Sequence, residues 1–320
     1  LVPEDDVVIG RAFRRSILVI GIVGIMVGLA LFVLRRPQEE APEVAIETEA
    51  PVAVQTEAEA PQVAFTDITS TAGIDFTHFN GATGEKLLPE TMGSGAALFD
   101  YDGDLDADLL LVNSTYWPHS TPVTPAPTPK LYENDGSGQF RDVTVAMGLD
   151  DPLYGTGIAV GDYDGDGKVD VFLAAVGSNR MLRNDGTRFK DVTAASGVAG
   201  AEDAWSSSAA FFDHDNDGDL DLFVANYVRW SRDIDFELAY SLNGTDRAYG
   251  PPMSYGGSFP YLYRNDGQGR FSDVSAEAGV RVESPYTGEP VAKSLAVVFL
   301  DVDDDGLEDI FVANDTVQNF

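Results

Sequence analysis

Four times between Ala96 and Asn314 a short apolar stretch runs into a nine-residue acidic loop and out into a second apolar stretch. The copies read AALFDYDGDLDADLLLVN from Ala96, IAVGDYDGDGKVDVFLAA from Ile158, AAFFDHDNDGDLDLFVAN from Ala209 and AVVFLDVDDDGLEDIFVAN from Ala296. A second motif alternates with them: LYENDGSGQFRDVT from Leu131, MLRNDGTRFKDVT from Met181 and LYRNDGQGRFSDVS from Leu262. Runs this short and rich in Val, Phe and Leu are strands, and Asn-Asp-Gly between them is a hairpin signal. Each unit therefore predicts about four short strands. The loops begin at Asp100, Asp162, Asp213 and Asp301. Their spacing approaches that of a propeller blade with one large insertion, so the fold class expected over residues 63–320 is an all-β β-propeller, with about four repeat units present.

Numbered from its first aspartate, each loop carries Asp at positions 1, 3, 5 and 9. Alternate residues of a tight turn can point inward together, and calcium takes six to eight oxygens at once. The candidate ligands are Asp100, Asp102, Asp104, Asp106 and Asp108; Asp162, Asp164, Asp166, Lys168 and Asp170; Asp213, Asp215, Asp217, Asp219 and Asp221; and Asp301, Asp303, Asp305, Leu307 and Asp309. At position 7 (Asp106, Lys168, Asp219, Leu307) the ligand is the backbone carbonyl, as Lys168 makes plain. Position 6 is glycine in three loops, Gly167, Gly218 and Gly306, but Leu105 in the first. If that position needs positive φ, leucine costs about 1 kcal/mol or more and site one is the weakest. Carboxylates converging without a cation repel one another, so four repeats of the pattern favour up to four Ca²⁺ sites, with Mg²⁺ the weaker alternative.

At these residues the chain resembles the FG-GAP/VCBS repeat proteins. More closely, AFTDITSTAGIDFTHFNG from Ala64 and GEKLLPETMGSGAALFDYDGD from Gly84 resemble the bacterial relatives of cartilage acidic protein, the UnbV/ASPIC-associated group. The resemblance implies β-propeller blades, seven in integrins, with structural rather than catalytic calcium. About four units fall short of such a ring, whose closure calls for further blades or a partner.

Residues 1–62 differ in kind. Ile17 to Leu34 carry no charge, and eighteen residues make a helix of roughly 27 Å, close to the hydrocarbon thickness of a bilayer. One transmembrane helix is expected over 16–36. Segment 1–15 is expected to be cytoplasmic and the body periplasmic, which makes this a single-pass inner-membrane protein. Gly24 and Gly28 would let another helix approach. Residues 37–62 hold seven Glu, four Pro and no basic or aromatic residue. That is an extended acidic tether, expected to become ordered only along a partner protein.

Composition narrows the function. Twenty Lys and Arg stand against 53 Asp and Glu, a formal charge of −33, which repels a nucleic acid backbone. Twenty of those 53 acids fall inside the four loops. Without cysteine there is no disulfide, thiolate metal site or cysteine nucleophile. The histidines are His78, His119 and His214. His214, at position 2 of its loop, is expected to point away from the ion, and no catalytic triad or phosphate loop stands apart from the repeats. Gly155 to Gly161 and Gly93 to Gly95 align with the strand before each acidic loop. Two proline- or aromatic-rich insertions, Tyr116 to Lys130 and Asn226 to Pro260, are expected as a stiff surface loop and as aromatics packed on their own blade or at an interface. Asn113, Asn243 and Asn314 fall in glycosylation sequons that carry little weight if the source is bacterial. The reading is a non-enzymatic, membrane-anchored calcium propeller acting as an accessory subunit of a membrane complex, photosynthetic or respiratory. Its partners would be the other subunits. The alternative is a free-standing adhesion or carbohydrate-binding module.

Overall fold

The two alternating motifs form antiparallel strands in the expected places. In the first sheet β1 (Ala96–Phe99), β2 (Asp108–Leu111), β3 (Lys130–Asn134) and β4 (Phe140–Asp142) pair in chain order. The second repeats this with β5 (Gly155–Gly161), β6 (Asp170–Ala175), β7 (Arg180–Asn184) and β8 (Phe189–Asp191). The third uses β9 (Ser206–Phe212), β10 (Asp221–Asn226), β11 (Tyr261–Asn265) and β12 (Phe271–Asp273). A two-stranded sheet of β13 (Ser294–Leu300) and β14 (Asp309–Asn314) follows.

This computed structural model describes residues 64–122 and 124–320, and Met26. The chain divides into two units, Leu1–Ala64 and Phe65–Phe320, and the sheets belong to the second. The expected cytoplasmic segment, the span over 16–36 apart from Met26, and the tether over 37–62 lie outside the described residues. Among the described residues no helix is long and apolar enough to cross a membrane.

Strand alternation gives each sheet two apolar faces, and consecutive sheets stack through them. β5 lies against β1 and β9, and β13 lies against β9. Between the first two sheets Phe99, Leu110, Val171 and Leu173 close a core. Between the second and third, Phe172, Leu222 and Val224 do the same, and between the third and fourth, Phe212, Phe223 and Val312. Burial of these side chains supplies about 1.5–3 kcal/mol each. The far face of the last sheet breaks the pattern. Val298, Leu300 and Phe311 are 51%, 44% and 44% exposed, because no described sheet covers them.

Gly155–Gly161 is a strand as expected, β5. Gly93 to Gly95 instead precede β1, although the Gly95 carbonyl still accepts the Val112 N–H at 2.9 Å. The aromatic insertion packs inward. Tyr227, Trp230 and Tyr255 join Leu87, Leu88, Trp117, Tyr154 and Trp205 in a further core. Trp117 belongs to the proline-rich insertion, so that loop is anchored at one end rather than lying wholly on the surface. Two short helices, α1 (Thr193–Ser196) and α2 (Arg232–Leu238), complete the unit. Asn113 is buried, with its side-chain oxygen accepting the Phe79 N–H at 2.8 Å, which removes it as a glycosylation site in the folded chain.

Candidate metal centres

Each acidic loop joins the first two strands of its sheet, and its ends are fixed by the same register. Phe99 pairs with Asp108, Gly161 with Asp170, Phe212 with Asp221 and Leu300 with Asp309. The position-9 aspartate is thus the first residue of the second strand.

The loops fold around their own position-1 carboxylates. Asp162 accepts the N–H groups of Asp166 (3.0 Å) and Gly167 (2.8 Å), Asp213 those of Asp217 (3.1 Å) and Gly218 (3.0 Å), and Asp301 those of Asp305 (3.1 Å) and Gly306 (2.9 Å). Asp100 does the same with Asp104 (3.2 Å) and Leu105 (3.0 Å). This turn requires positive φ at position 6, where Gly167, Gly218 and Gly306 lie at 86°, 93° and 87° and Leu105 is forced to 76°. The strain anticipated at Leu105 is present. Position 4 is also left-handed, at Gly103, Gly165, Asn216 and Asp304, and its occupants are the residue types that tolerate that region best.

Positions 1, 3 and 9 converge. One oxygen from each of Asp100, Asp102 and Asp108 lies within 4.8 Å of the other two, and the same holds for Asp162, Asp164 and Asp170 and for Asp301, Asp303 and Asp309. In the third loop Asp213, Asp215 and Asp217 form one such group and His214, Asp215 and Asp221 another. Position 5 faces its own backbone: Asp104, Asp166, Asp217 and Asp305 accept the position-7 N–H at 2.8–3.0 Å. In the first three loops the position-7 side chains reach toward the hairpin turns, although Lys168 Nζ also donates to Asp166 Oδ2 at 3.0 Å. A Cβ on Gly136, Gly186 or Gly267, the glycines of the Asn-Asp-Gly turns, would fall 2.5–3.0 Å from Asp106, Lys168 or Asp219. Their backbone carbonyls are what remains for a ligand role, as Lys168 implied for its whole position.

The position-9 groups are buried carboxylates: Asp108, Asp170 and Asp221 are at most 1% exposed. One oxygen of each accepts the N–H of the asparagine opening the hairpin turn, Asn134 (2.8 Å), Asn184 (2.7 Å) or Asn265 (2.8 Å). The second oxygen of Asp170 is buried with only a weak contact from the Tyr163 N–H. Burial pushes the Asp170 carboxyl up to about 7, with Asp164 and Asp166 adding to the shift. Asp102, Asp108 and Asp164 are raised as well, burial being the largest cause in each. A weakly compensated buried oxygen facing two further carboxylates, in an all-oxygen donor set, fits a hard divalent cation. Asp309 is exposed, and the fourth site is correspondingly open.

One expectation is corrected. His214 does not point away from the acidic group: its Nδ1 and Asp221 Oδ2 stand 2.5 Å apart. The position-2 residues of the first two loops point to the next sheet instead, with Tyr101 against Phe189 and Tyr163 against Phe271. Their carbonyls accept Asn184 Nδ2 (2.7 Å) and Asn265 Nδ2 (2.8 Å). These asparagines, expected only as turn formers, bolt each sheet to the loop of the preceding one. Beyond the loops, His78 Nε2 stands 2.9 Å from Ser94 Oγ, but that hydroxyl donates to the Gly155 carbonyl at 2.7 Å. The imidazole is therefore the donor to Ser94 and is not placed to deprotonate it.

Buried Asp235 escaped sequence reasoning. It accepts from Leu88 N (2.8 Å), Trp230 Nε1 (2.7 Å), Tyr255 O–H (2.8 Å) and Arg247 Nη2 (2.8 Å), so every lone pair has a partner and the group holds the insertion together.

An all-β protein of stacked antiparallel sheets, with an acidic loop at the same corner of each, is a repeat protein whose unit is the sheet and its loop. The FG-GAP-like repeat matches it twice, over residues 100–173 and 162–224. It is 26% identical over 190 residues to cartilage acidic protein 1 of Mus musculus and 25% identical over 190 residues to that of Homo sapiens. Each match covers 58% of this chain and 24% of the relative, so the matched stretch spans about a quarter of those proteins.

Proposed function

We infer that the acidic loops bind calcium and that the protein is a non-enzymatic β-propeller-type module whose metal ions are structural. The observation that carries this reading is the recurrence of one arrangement in the first, second and fourth loops: a position-1 carboxylate tied to its own loop, converging with position 3 and a strand-borne position 9, with positions 1, 3 and 5 converging in the third. FG-GAP-like repeats and stacked sheets with neighbouring first strands support the propeller. The four loops neutralise their clustered charge on binding Ca²⁺, which fixes the first two strands of each sheet. Anchored by the apolar segment 16–36, the module would stand outside the cytoplasmic membrane and serve other subunits of a membrane complex as a structural partner.

Calorimetric titration of the metal-stripped chain with Ca²⁺ and Mg²⁺, paired with thermal melts, tests the metal. The expected result is saturable Ca²⁺ binding and a melting temperature that rises with free Ca²⁺. A free concentration of 100 times Kd adds about 2.7 kcal/mol per site. A melting curve indifferent to Ca²⁺ and to excess chelator overturns the reading. Purification in mild detergent tests the partner, and a chain that runs alone and monomeric removes the subunit role.

A further inference from the structure

Away from the acidic loops, a cavity of about 510 Å³ opens beside the insertion core, within the size range of small-molecule sites. Tyr116, Trp117, Tyr154 and Trp230 line it. Trp117 stacks on Tyr154 with centroids 4.0 Å apart and lies 5.2 Å from Trp230, so the aromatic wall is held rigid before any ligand arrives. The lining also includes His119 and three charged residues, Arg232, Glu202 and Asp203. Glu85 already neutralises Arg232, accepting from it at 2.6 and 3.0 Å, and also stands 2.9 Å from His119 Nε2. Glu202 and Asp203 are exposed and, among the described residues, form no ion pair. The lining thus combines two carboxylates that form no ion pair among the described residues with four aromatic rings.

We propose that this cavity binds a small organic cation with a quaternary or alkylated ammonium head. Aromatic faces attract such a cation through their quadrupole, and its methyl groups need no hydrogen bonds when they leave water. The two rim carboxylates add long-range attraction, and the strongly acidic chain raises the local concentration of cations. A neutral sugar fits less well. The hydroxyls of the lining are those of Thr115, Tyr116, Tyr154 and Ser231; that of Tyr154 already donates to Asn80 O at 2.7 Å, and that of Ser231 is occupied as the N-cap of α2, accepting from Ile234 N at 3.2 Å.

The test uses the full, calcium-saturated chain, titrated at constant ionic strength with choline and with its uncharged isostere 3,3-dimethyl-1-butanol. Tryptophan fluorescence and calorimetry report binding. The three tryptophans, Trp117, Trp205 and Trp230, all belong to this core, so the emission reads the site directly. Choline is expected to saturate and the isostere to bind at least about tenfold more weakly. The double variant Glu202→Gln, Asp203→Asn, on the exposed rim, should weaken choline about tenfold while leaving the isostere and the melting temperature unchanged. No saturation by choline up to the order of 10 mM, equal binding of choline and its isostere, or an unaltered double variant each overturns the proposal. So does saturable binding of glucose that choline fails to displace.

Discussion

Leu105 is the one non-glycine residue at position 6 of an acidic loop, and replacing it isolates a single backbone term. Its φ of 76° lies in the left-handed region, and its side chain is 91% exposed, so Leu105→Gly removes almost no buried surface. The left-handed penalty for an L-residue is about 1–2 kcal/mol, and glycine gives back about 0.5–1 kcal/mol through the greater freedom of its unfolded chain. The net expectation is a stabilisation of about 0–1.5 kcal/mol, or up to roughly 6 °C in melting temperature for a unit of this size. The mirror-image control is Gly167→Ala or Gly218→Ala, at φ of 86° and 93°, where a Cβ meets nothing within 4 Å. With steric contact excluded, each should cost about 1 kcal/mol through conformation alone. Melts in saturating Ca²⁺, with calorimetry of the first site, provide the readout. Because Leu105 N–H is itself bonded to Asp100, relief of the strain should also tighten site one. If Leu105→Gly destabilises while the two alanine variants are neutral, position 6 is not what limits the loop.

Three further outcomes follow from the same contacts. Asn265→Ala or Asn184→Ala should cost about 2–3 kcal/mol, since each leaves carbonyls of two sheets unpaired, while Asn134→Ala, whose amide bonds only Ala107 O, should cost about 1 kcal/mol; denaturant melts giving equal losses would refute the bolt between sheets. Asp235→Ala should destabilise by about 3–5 kcal/mol by leaving the Leu88 N–H, Trp230 Nε1 and Tyr255 hydroxyl without a partner and removing the carboxylate from Arg247, and a melt within about 1 kcal/mol of the parent would refute this. In metal-free protein the Asp170 carboxyl is raised from 3.8 to about 7, so the folded state holds a proton that the unfolded chain releases; its contribution to stability is full below pH ~4 and is lost as pH rises to ~7. Calcium should therefore raise the melting temperature more at pH 8 than at pH 5, and Asp170→Asn should flatten the metal-free pH dependence in that window.

The parts of this structure that were legible from sequence are those where one residue type has one job. Aspartate at alternate positions, glycine at position 6 and Asn-Asp-Gly between apolar runs each specify a local conformation, so the loops, the hairpins and the strain at Leu105 could be read without coordinates. What escaped is long-range. Asn184 looks like a turn former because its local hydrogen bond, Gly186 N–H to its Oδ1 at 3.0 Å, is a turn bond. That its amide also reaches Tyr101 O, 83 residues away, depends on how two sheets stack. Asp235 is likewise an ordinary acidic residue in a polar stretch until Arg247, Tyr255, Trp230 and Leu88 surround it. His214 was misjudged for a related reason: the rule that position 2 points outward holds for Tyr101 and Tyr163, whose rings have a hydrophobic place on the next sheet, but an imidazole can instead hydrogen-bond the buried Asp221.

These long-range contacts change what metal removal should do. Position 9 of each loop is the first residue of a strand, in the first three sheets its carboxylate holds the hairpin asparagine of the same sheet, and in the second and third that asparagine holds the preceding loop. Loop, strand, hairpin and neighbouring sheet are therefore one mechanical series. Charge repulsion released at one loop is transmitted to the next interface rather than absorbed locally. Stripping calcium should then broaden or lower a single cooperative transition instead of melting isolated loops, as nearest-neighbour coupling in a repeat array requires. Amide exchange around Asn184 and Asn265 that accelerates in chelator together with exchange at Asp166 and Asp217 would bear this out. Exchange confined to the acidic loops would show that the sheets hold together without them.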